Sequence, residues 1–293
     1  MTKNIDPENI IVSAYDLASE IDTFYHDGLP SGYSTGILSL DRFYRPDKKY
    51  ITIVTGVPQH GKSEVVDEIC VKMARDHAWN FLYFSPENYP IELHVSKLAR
   101  KIGGKPFGKG YNGAMSIKET AAAIDSIEGA FKFIKTPDIG FTLDNILECA
   151  LFCCDNHGLD GLVIDPWNSI DHQRPANLRE DEYISQALSK IILFARFNDL
   201  HVWLIAHPKK PDQGRNYKTS PPGLYDISGA AHWYNKADFG LTVFRPDARD
   251  GTETHIIVTK VKFRNYGKPT PLDEPVVLNF DISSGRYHDQ GSF

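Results

Sequence analysis

The run Tyr50-Ile51-Thr52-Ile53-Val54-Thr55 passes directly into Gly56-Val57-Pro58-Gln59-His60-Gly61-Lys62-Ser63. Apolar and β-branched residues with no turn former among them predict a buried strand over 50–55. The next eight residues fit the spacing G-x-x-x-x-G-K-[ST]. Beyond them a helical stretch over 64–76 carries Val65, Ile69, Val71 and Met73. Strand, glycine loop and helix in that order turn several backbone N–H groups, and the positive end of the helix, toward one spot. A triphosphate suits that spot. Gly56, Val57, Pro58, Gln59, His60 and Gly61 would wrap it, Lys62 would reach the β- and γ-phosphates, and the Ser63 hydroxyl would ligate Mg²⁺. The expected cofactors are ATP, or another NTP, and Mg²⁺.

Three more apolar runs end in groups that belong beside such a loop. Asn80-Phe81-Leu82-Tyr83-Phe84 is followed by Ser85-Pro86-Glu87, the run 159–164 closes on Asp165, and the run 201–206 delivers His207. In an open parallel sheet, ligand groups lie beyond the carboxyl ends of the strands, which would gather Glu87, Asp165 and His207 at the phosphates. Asp165 has the form of the second NTPase motif, in which an aspartate supports Mg²⁺. Helices are expected over 91–102, 117–127 and 143–156, with a long one ending near Asn198 and a short strand over 131–134. The fold class is α/β, a mostly parallel central sheet flanked by helices.

The tail reads as strands over 238–244, 254–264 and 274–280. The second carries Lys260, Lys262 and Arg264 at period two on one face. Three cations cannot sit unpaired in a core, so they should project to solvent or to an anion on another subunit. Residues 209–229 form the least regular stretch, where Lys209, Lys210, Arg215 and Lys218 stand against Asp212. A long basic loop beside an ATP site suggests a nucleic-acid contact.

Ahead of the core, residues 13–25 read as an amphipathic helix. Ala14, Leu17, Ala18, Ile21 and Phe24 form its apolar stripe, Ser13 and Asp16 can cap it, and Gly28-Leu29-Pro30-Ser31-Gly32 breaks it. The expected organisation is a linker segment over 1–30 and one domain over 31–293. The stripe must bury itself on its own domain or on a neighbouring subunit.

Composition sets wider bounds. The 293 residues are 41% hydrophobic and 24% charged, with a net charge of −6 that argues against a uniformly basic nucleic-acid binder but not against a local basic loop. No apolar run approaches the length of a membrane span, and the start of the chain lacks a basic-then-apolar signal pattern. A soluble cytoplasmic protein is expected, though an internal fragment of a longer chain would read the same way. Cys70, Cys149, Cys153 and Cys154 form no C-x-x-C pair; the last three, at helical spacing, read as buried thiols rather than metal ligands.

One further observation comes from the order of the motifs. Thr35-Gly36-Ile37-Leu38-Ser39-Leu40-Asp41, the glycine loop, Ser85-Pro86-Glu87, Val163-Ile164-Asp165, Ile205-Ala206-His207-Pro208-Lys209-Lys210 and Lys260-Val261-Lys262-Phe263-Arg264 together resemble the helicase domain of DnaB-type replicative helicases. The likeness covers roughly residue 30 onward and is nearest the phage primase–helicase and Twinkle-like branch. It implies a RecA-like P-loop NTPase, bacterial or phage-type, that assembles into a ring, usually a hexamer. Such a ring hydrolyses NTP at subunit interfaces and moves on single-stranded DNA. By the same resemblance Glu87 orients the attacking water, Asp165 supports Mg²⁺ and His207 senses the γ-phosphate. Loops 171–181 and 209–232 would face the channel, with Arg174, Arg179, Lys209, Lys210, Arg215, Lys218, Ser228 and Gly229 touching DNA. A cation from the neighbour would come from Arg264 or Lys262, with Arg264 preferred because a planar fork suits phosphate. The segment Asp226-Ile227-Ser228-Gly229-Ala230 lacks the arginine some relatives carry there. No primase domain accompanies the motifs, so a separate primase or loader is expected, or a longer chain. The alternative readings are a RecA-like recombinase or regulatory ATPase, a monomeric P-loop small-molecule kinase, and a nucleotide-dependent scaffold without turnover.

Overall fold

The computed structural model describes residues 10–136, 140–211, 216–217, 220–271 and 273–290, and its contacts divide the chain into two units, Met1–Ser31 and Gly32–Phe293. The first unit carries helix α1 (Ala18–Asp27), which buries none of its residues. Ser13 and Asp16 do meet as a cap: Ser13 N donates to Asp16 Oδ2 at 2.7 Å, and Asp16 N to Ser13 Oγ at 3.4 Å. Yet residues 14–17 are turn, and the helix starts at Ala18 rather than beside Ser13. Side-chain partners satisfy the first backbone donors locally, so the turn closes without continuing as helix.

The second unit runs α2 (Leu38–Asp41), β1 (Ile51–Thr55), α3 (Lys62–His77), β2 (Phe81–Phe84), α4 (Ile91–Gly103), α5 (Ile117–Ala130), β3 (Phe131–Phe133), α6 (Leu143–His157) and β4 (Gly161–Ile164). It continues through α7 (Glu180–Phe197), β5 (His201–Ile205), α8 (Ala230–Lys236), β6 (Phe239–Phe244), β7 (Glu253–Val261), β8 (Val276–Phe280) and β9 (Tyr287–Asp289). The strands form one sheet in the order β3-β2-β4-β5-β1-β6-β7-β8-β9. Pairings from β3 through β6 are parallel, and those from β6 to β9 are antiparallel.

Period-two alternation in the central strands builds a core on each face. Val54, Tyr83, Val163, Trp203 and Ile205 point to the side packed by Val65, Ile69 and Met73 of α3, Leu98 of α4 and Ile127 of α5. Ile53, Leu82, Ile164, Val202 and Leu204 point to the side packed by Ile146 and Ala150 of α6, Leu188 and Ile191 of α7, and Trp233 of α8. Strands buried on both faces explain the continuous apolar runs in the sequence. Of the α6 thiols, Cys153 is buried while Cys149 and Cys154 are half-buried. Burial pushes all three pKa values up. Among the described residues no cluster of His, Cys, Asp or Glu could hold a metal on its own.

Candidate functional site

At the end of β1 the chain turns through Gly56 at φ 145°. A side chain there would collide with the Val243 carbonyl of β6, so only glycine lets the loop lie this close to the sheet. Gly61, at φ 88°, then opens α3, and a Cβ on it would stand 2.8 Å from the Tyr287 hydroxyl of β9. Lys62 is the first residue of that helix and is only 5% exposed. Its Nζ donates to Gly56 O at 3.1 Å and Val57 O at 3.2 Å. Burial draws its pKa down to about 8, against the opposing pull of Asp165 and Glu87. His60 faces inward: its Nδ1 accepts from Arg245 N at 3.0 Å and its ring packs on Phe244 at 5.4 Å. Its imidazole therefore braces the loop against β6.

β2, β4, β5 and β1 are adjacent and parallel, so their carboxyl ends share one edge of the sheet. Asp165, just past β4, is 3% exposed. Burial raises its pKa to about 6, the Ser63 hydroxyl bonded to it lowers it, and the carboxylates of Asp67 and Glu87 push it up further. Glu87 stands exposed on a 3-10 turn, Pro86–Asn88, just past β2. His207 lies just past β5, half-buried, with its N donating to Asn168 Oδ1 at 3.0 Å. Burial and Lys62 lower its imidazole pKa, while Glu87 opposes them. The four groups thus act on one another electrostatically. They fit a polyphosphate with a divalent cation, because among the described residues the buried Lys62 ammonium donates only to neutral carbonyls, and the buried Asp165 carboxylate gains from any cation placed at Ser63.

The late cations differ from expectation. β7 ends at Val261, three residues before Arg264, so Lys262 and Arg264 leave the strand and the single face breaks up. Lys260 Nζ donates to the backbone oxygens of Tyr234 and Asn235 and lies 4.9 Å over the Tyr234 ring. Lys262 Nζ reaches Asp238 Oδ1 at 2.8 Å. Both therefore have partners inside the chain, because the buried Asp238 carboxylate and the end of α8 require donors. Arg264 opens a 3-10 turn, is exposed, and makes no side-chain hydrogen bond or ion pair among the described residues. Register fixes where these residues lie. Thr52 pairs with Phe239 and Phe239 with Val261, so residues 262–264 sit at the end of the sheet opposite Gly56. Four residue steps along the strand, about 13 Å, separate Thr52 from Gly56. Arg264 does not reach its own glycine loop.

Of the residues expected at DNA, Arg215 and Lys218 lie outside the described residues. Arg174 and Arg179 are exposed on the loop before α7; Arg174 Nη1 donates to Leu178 O at 2.9 Å, and Arg179 pairs with Asp181 at 2.7 Å. Lys209 and Lys210 are exposed just after His207. Ser228 Oγ donates to Glu180 Oε1 at 2.7 Å, and Gly229 caps α8 at φ 76°.

Sequence reasoning missed the polar layer under the glycine loop. On α3, Glu64, Asp67 and Glu68 face inward, where Asp67 Oδ1 meets His94 Nε2 at 3.2 Å and Lys101 Nζ lies 3.0 Å from Glu64 Oε2 and 3.8 Å from Glu68 Oε2. The usable signal was i, i+3, i+4 acids on the loop helix opposite bases at 94, 97 and 101. Arg245 and Tyr287 were missed as well, since they come from distant strands.

A mostly parallel sheet that brings a glycine loop, a strand-terminal aspartate, a glutamate and a histidine to one edge has the architecture of the RecA-like folds. Among solved structures the chain superposes on an isolated ATPase domain with a TM-score of 0.73 at 18% identity, covering 98% of this chain and 99% of that one. It superposes on a DnaB-like replicative helicase, described with its interactions with primase, with a TM-score of 0.72 at 18% identity, covering 95% and 67%. The RadB recombinase gives 0.56 at 13% identity, covering 87% and 98%. The fold is that of the DnaB-like helicase ATPase domain.

In sequence, the chain is 36% identical over 287 residues to the Twinkle homolog protein, chloroplastic/mitochondrial, of Arabidopsis thaliana, covering 95% of this chain. It spans 40% of that relative's length. The resemblance to DnaB-type helicases of the Twinkle-like branch, first visible in six short motifs, thus extends along nearly the whole chain. No family model matches it. No helix among the described residues is long and apolar enough to cross a membrane.

Proposed function

We propose that this chain is the motor domain of a ring-forming, replicative-type DNA helicase, which hydrolyses ATP or another NTP between copies of itself, moves along single-stranded DNA and unwinds duplex. The observation that carries the reading is the division of charge across the sheet. Lys62, Asp165, Glu87 and His207 share one end, while the exposed Arg264 stands at the other. Phosphoryl transfer depends on positioned charge more than on covalent chemistry, so a cation that cannot serve its own site is well placed to serve a neighbour's.

The geometry supports one set of roles. Lys62 binds the β- and γ-phosphates, Glu87 orients the attacking water, and His207 contacts the γ-phosphate, where its neutral form at physiological pH can donate a hydrogen bond. Ser63 and Asp165 hold Mg²⁺, which when bound neutralises phosphate charge. Arg264 from the adjacent copy completes the site; Lys262, engaged by Asp238, is the weaker candidate. The unburied stripe of α1 docks on a neighbouring copy, and six copies close the ring. Arg174, Arg179, Lys209, Lys210, Arg215 and Lys218 bind the strand, helped by Ser228 and backbone N–H groups near Gly229. Priming or loading falls to a separate protein or to another part of a longer chain, and the motor works in the cytoplasm or another aqueous compartment that holds the DNA.

The test measures the ATP hydrolysis rate with and without single-stranded DNA, the particle mass in the same samples, and unwinding of a forked duplex. DNA-stimulated turnover in an assembled particle that opens the fork is expected. A solitary molecule that hydrolyses ATP at full rate, indifferent to DNA, would refute the reading, and an assembly that pairs strands without unwinding would make it a recombinase.

A further inference from the structure

Glu87 sits on a three-residue 3-10 turn, Pro86–Asn88. The turn closes on itself: Asn88 N donates to Ser85 O at 3.1 Å, and Asn88 Nδ2 to Ser85 Oγ at 2.7 Å. That leaves Asn88 Oδ1 free to accept from outside, and it accepts from Lys97 Nζ of α4 at 2.9 Å. Among the described residues no other side-chain hydrogen bond leaves the turn. The same ammonium lies 3.4 Å from Glu64 Oε1, and Glu64 is the residue after Ser63 in the first turn of α3. Lys101 grips the other Glu64 oxygen at 3.0 Å, so the anchor itself is held from below. One side chain therefore joins the two elements whose spacing decides whether a water at Glu87 lines up with a phosphate at Lys62 and Ser63.

We infer that Lys97 is a positioning residue that fixes the Glu87 turn to the first turn of the P-loop helix. The inference rests on the reading of Glu87 given above. Lys97 is 39% exposed on its side chain, and a half-exposed pair of this kind contributes little to stability. Its value lies in geometry, because a shift of a water-orienting group by about 1 Å costs on the order of a hundredfold in rate. Among the described residues Lys97 makes no hydrogen bond or ion pair with the glycine loop or Asp165, so nucleotide affinity should not depend on it.

The experiment compares Lys97→Met, Lys97→Arg, Asn88→Ala, the double variant Lys97→Met/Asn88→Ala, and Glu87→Gln. It reads kcat for ATP with single-stranded DNA present, the Kd for a fluorescent ATP analogue, and the melting curve. Lys97→Met should lose roughly 10- to 100-fold in kcat with unchanged Kd and melting. Lys97→Arg should recover most of that loss, Asn88→Ala should reproduce it, and the double variant should be no worse than either single. A wild-type kcat in Lys97→Met, with Glu87→Gln inactive, overturns the inference alone. Full turnover in Glu87→Gln removes the reading beneath it, and the inference with it.

Discussion

Replacing Lys101 by methionine tests the charged layer on which the glycine loop rests. Lys101 is 1% exposed, and its ammonium faces Glu64 Oε2 at 3.0 Å, Glu68 Oε2 at 3.8 Å and the Gly285 carbonyl. Methionine fills nearly the same volume, so no cavity opens; what disappears is the positive charge. The inward oxygens of Glu64 and Glu68 then stay buried without a cation, while Lys97 and Lys72 still hold the outer ones at 3.4 and 3.5 Å. Because those outer partners remain, the cost falls at the low end for breaking a buried pair from one side, about 3 kcal/mol. In a domain of this size that lowers the melting midpoint by on the order of 6–12 °C. Circular dichroism melts of Lys101→Met, Glu68→Gln and the double variant provide the assay. Because the double variant also neutralises one of the two carboxylates that Lys101 faces, it should recover part of the loss and melt above Lys101→Met. If it melts no higher, Lys101 acts through its ammonium's contacts with the Phe280 and Tyr287 rings and not by neutralising the acids of α3, and the reasoning fails.

The remaining predictions concern chemistry. Glu87→Gln should keep nucleotide binding and lose hydrolysis; loss of both would place Glu87 in binding instead. Arg264→Ala mixed into wild-type protein should depress turnover beyond its own share, whereas simple proportional dilution would argue against a cation given in trans. Lys62 titrates near 8 because it is buried, and phosphate binding needs its ammonium form, so ATP affinity should weaken as pH rises through that value. Lys62→Arg should bind with a flat profile over the same range, and an equally flat wild-type curve would contradict the assignment. His94 has its pKa lowered by burial but raised further by Asp67, for a net rise, so the stability of this pair is full below the ordinary histidine value and fades as pH climbs through the raised one. His94→Gln should remove that part of the pH dependence of the melting midpoint.

The parts of the fold that could be read in advance are those set by local pattern. β1, β2, β4 and β5 are buried on both faces, so their runs are apolar throughout and stand out between polar loops. The groups just past them, Glu87, Asp165 and His207, follow from topology once the strands are taken as parallel. Where partners lie far apart in sequence the reading was less complete. The end of β7 depends on Asp238, which draws Lys262 off the strand path, and no periodicity encodes a buried carboxylate twenty-four residues upstream. Helix α8 begins directly after the irregular stretch 209–229 and is too short to show a helical period, because its packing is tertiary: Trp233 buries itself against the α7 face and its Nε1 donates to Ser228 O at 2.5 Å. β9 is too short to announce itself. Its Tyr287 becomes meaningful only once the antiparallel tail has carried it back to Gly61.

That return of the tail bears on how the protein is made. The glycine loop is translated well ahead of Val243, Arg245 and Tyr287, which crowd its backbone. A nascent chain stalled before residue 287 carries the whole nucleotide signature without the walls that hold it in shape. Synthesis thus brings the surroundings of the glycine loop together only once the strand carrying Tyr287 has left the ribosome, and a polypeptide interrupted before it holds the loop without them.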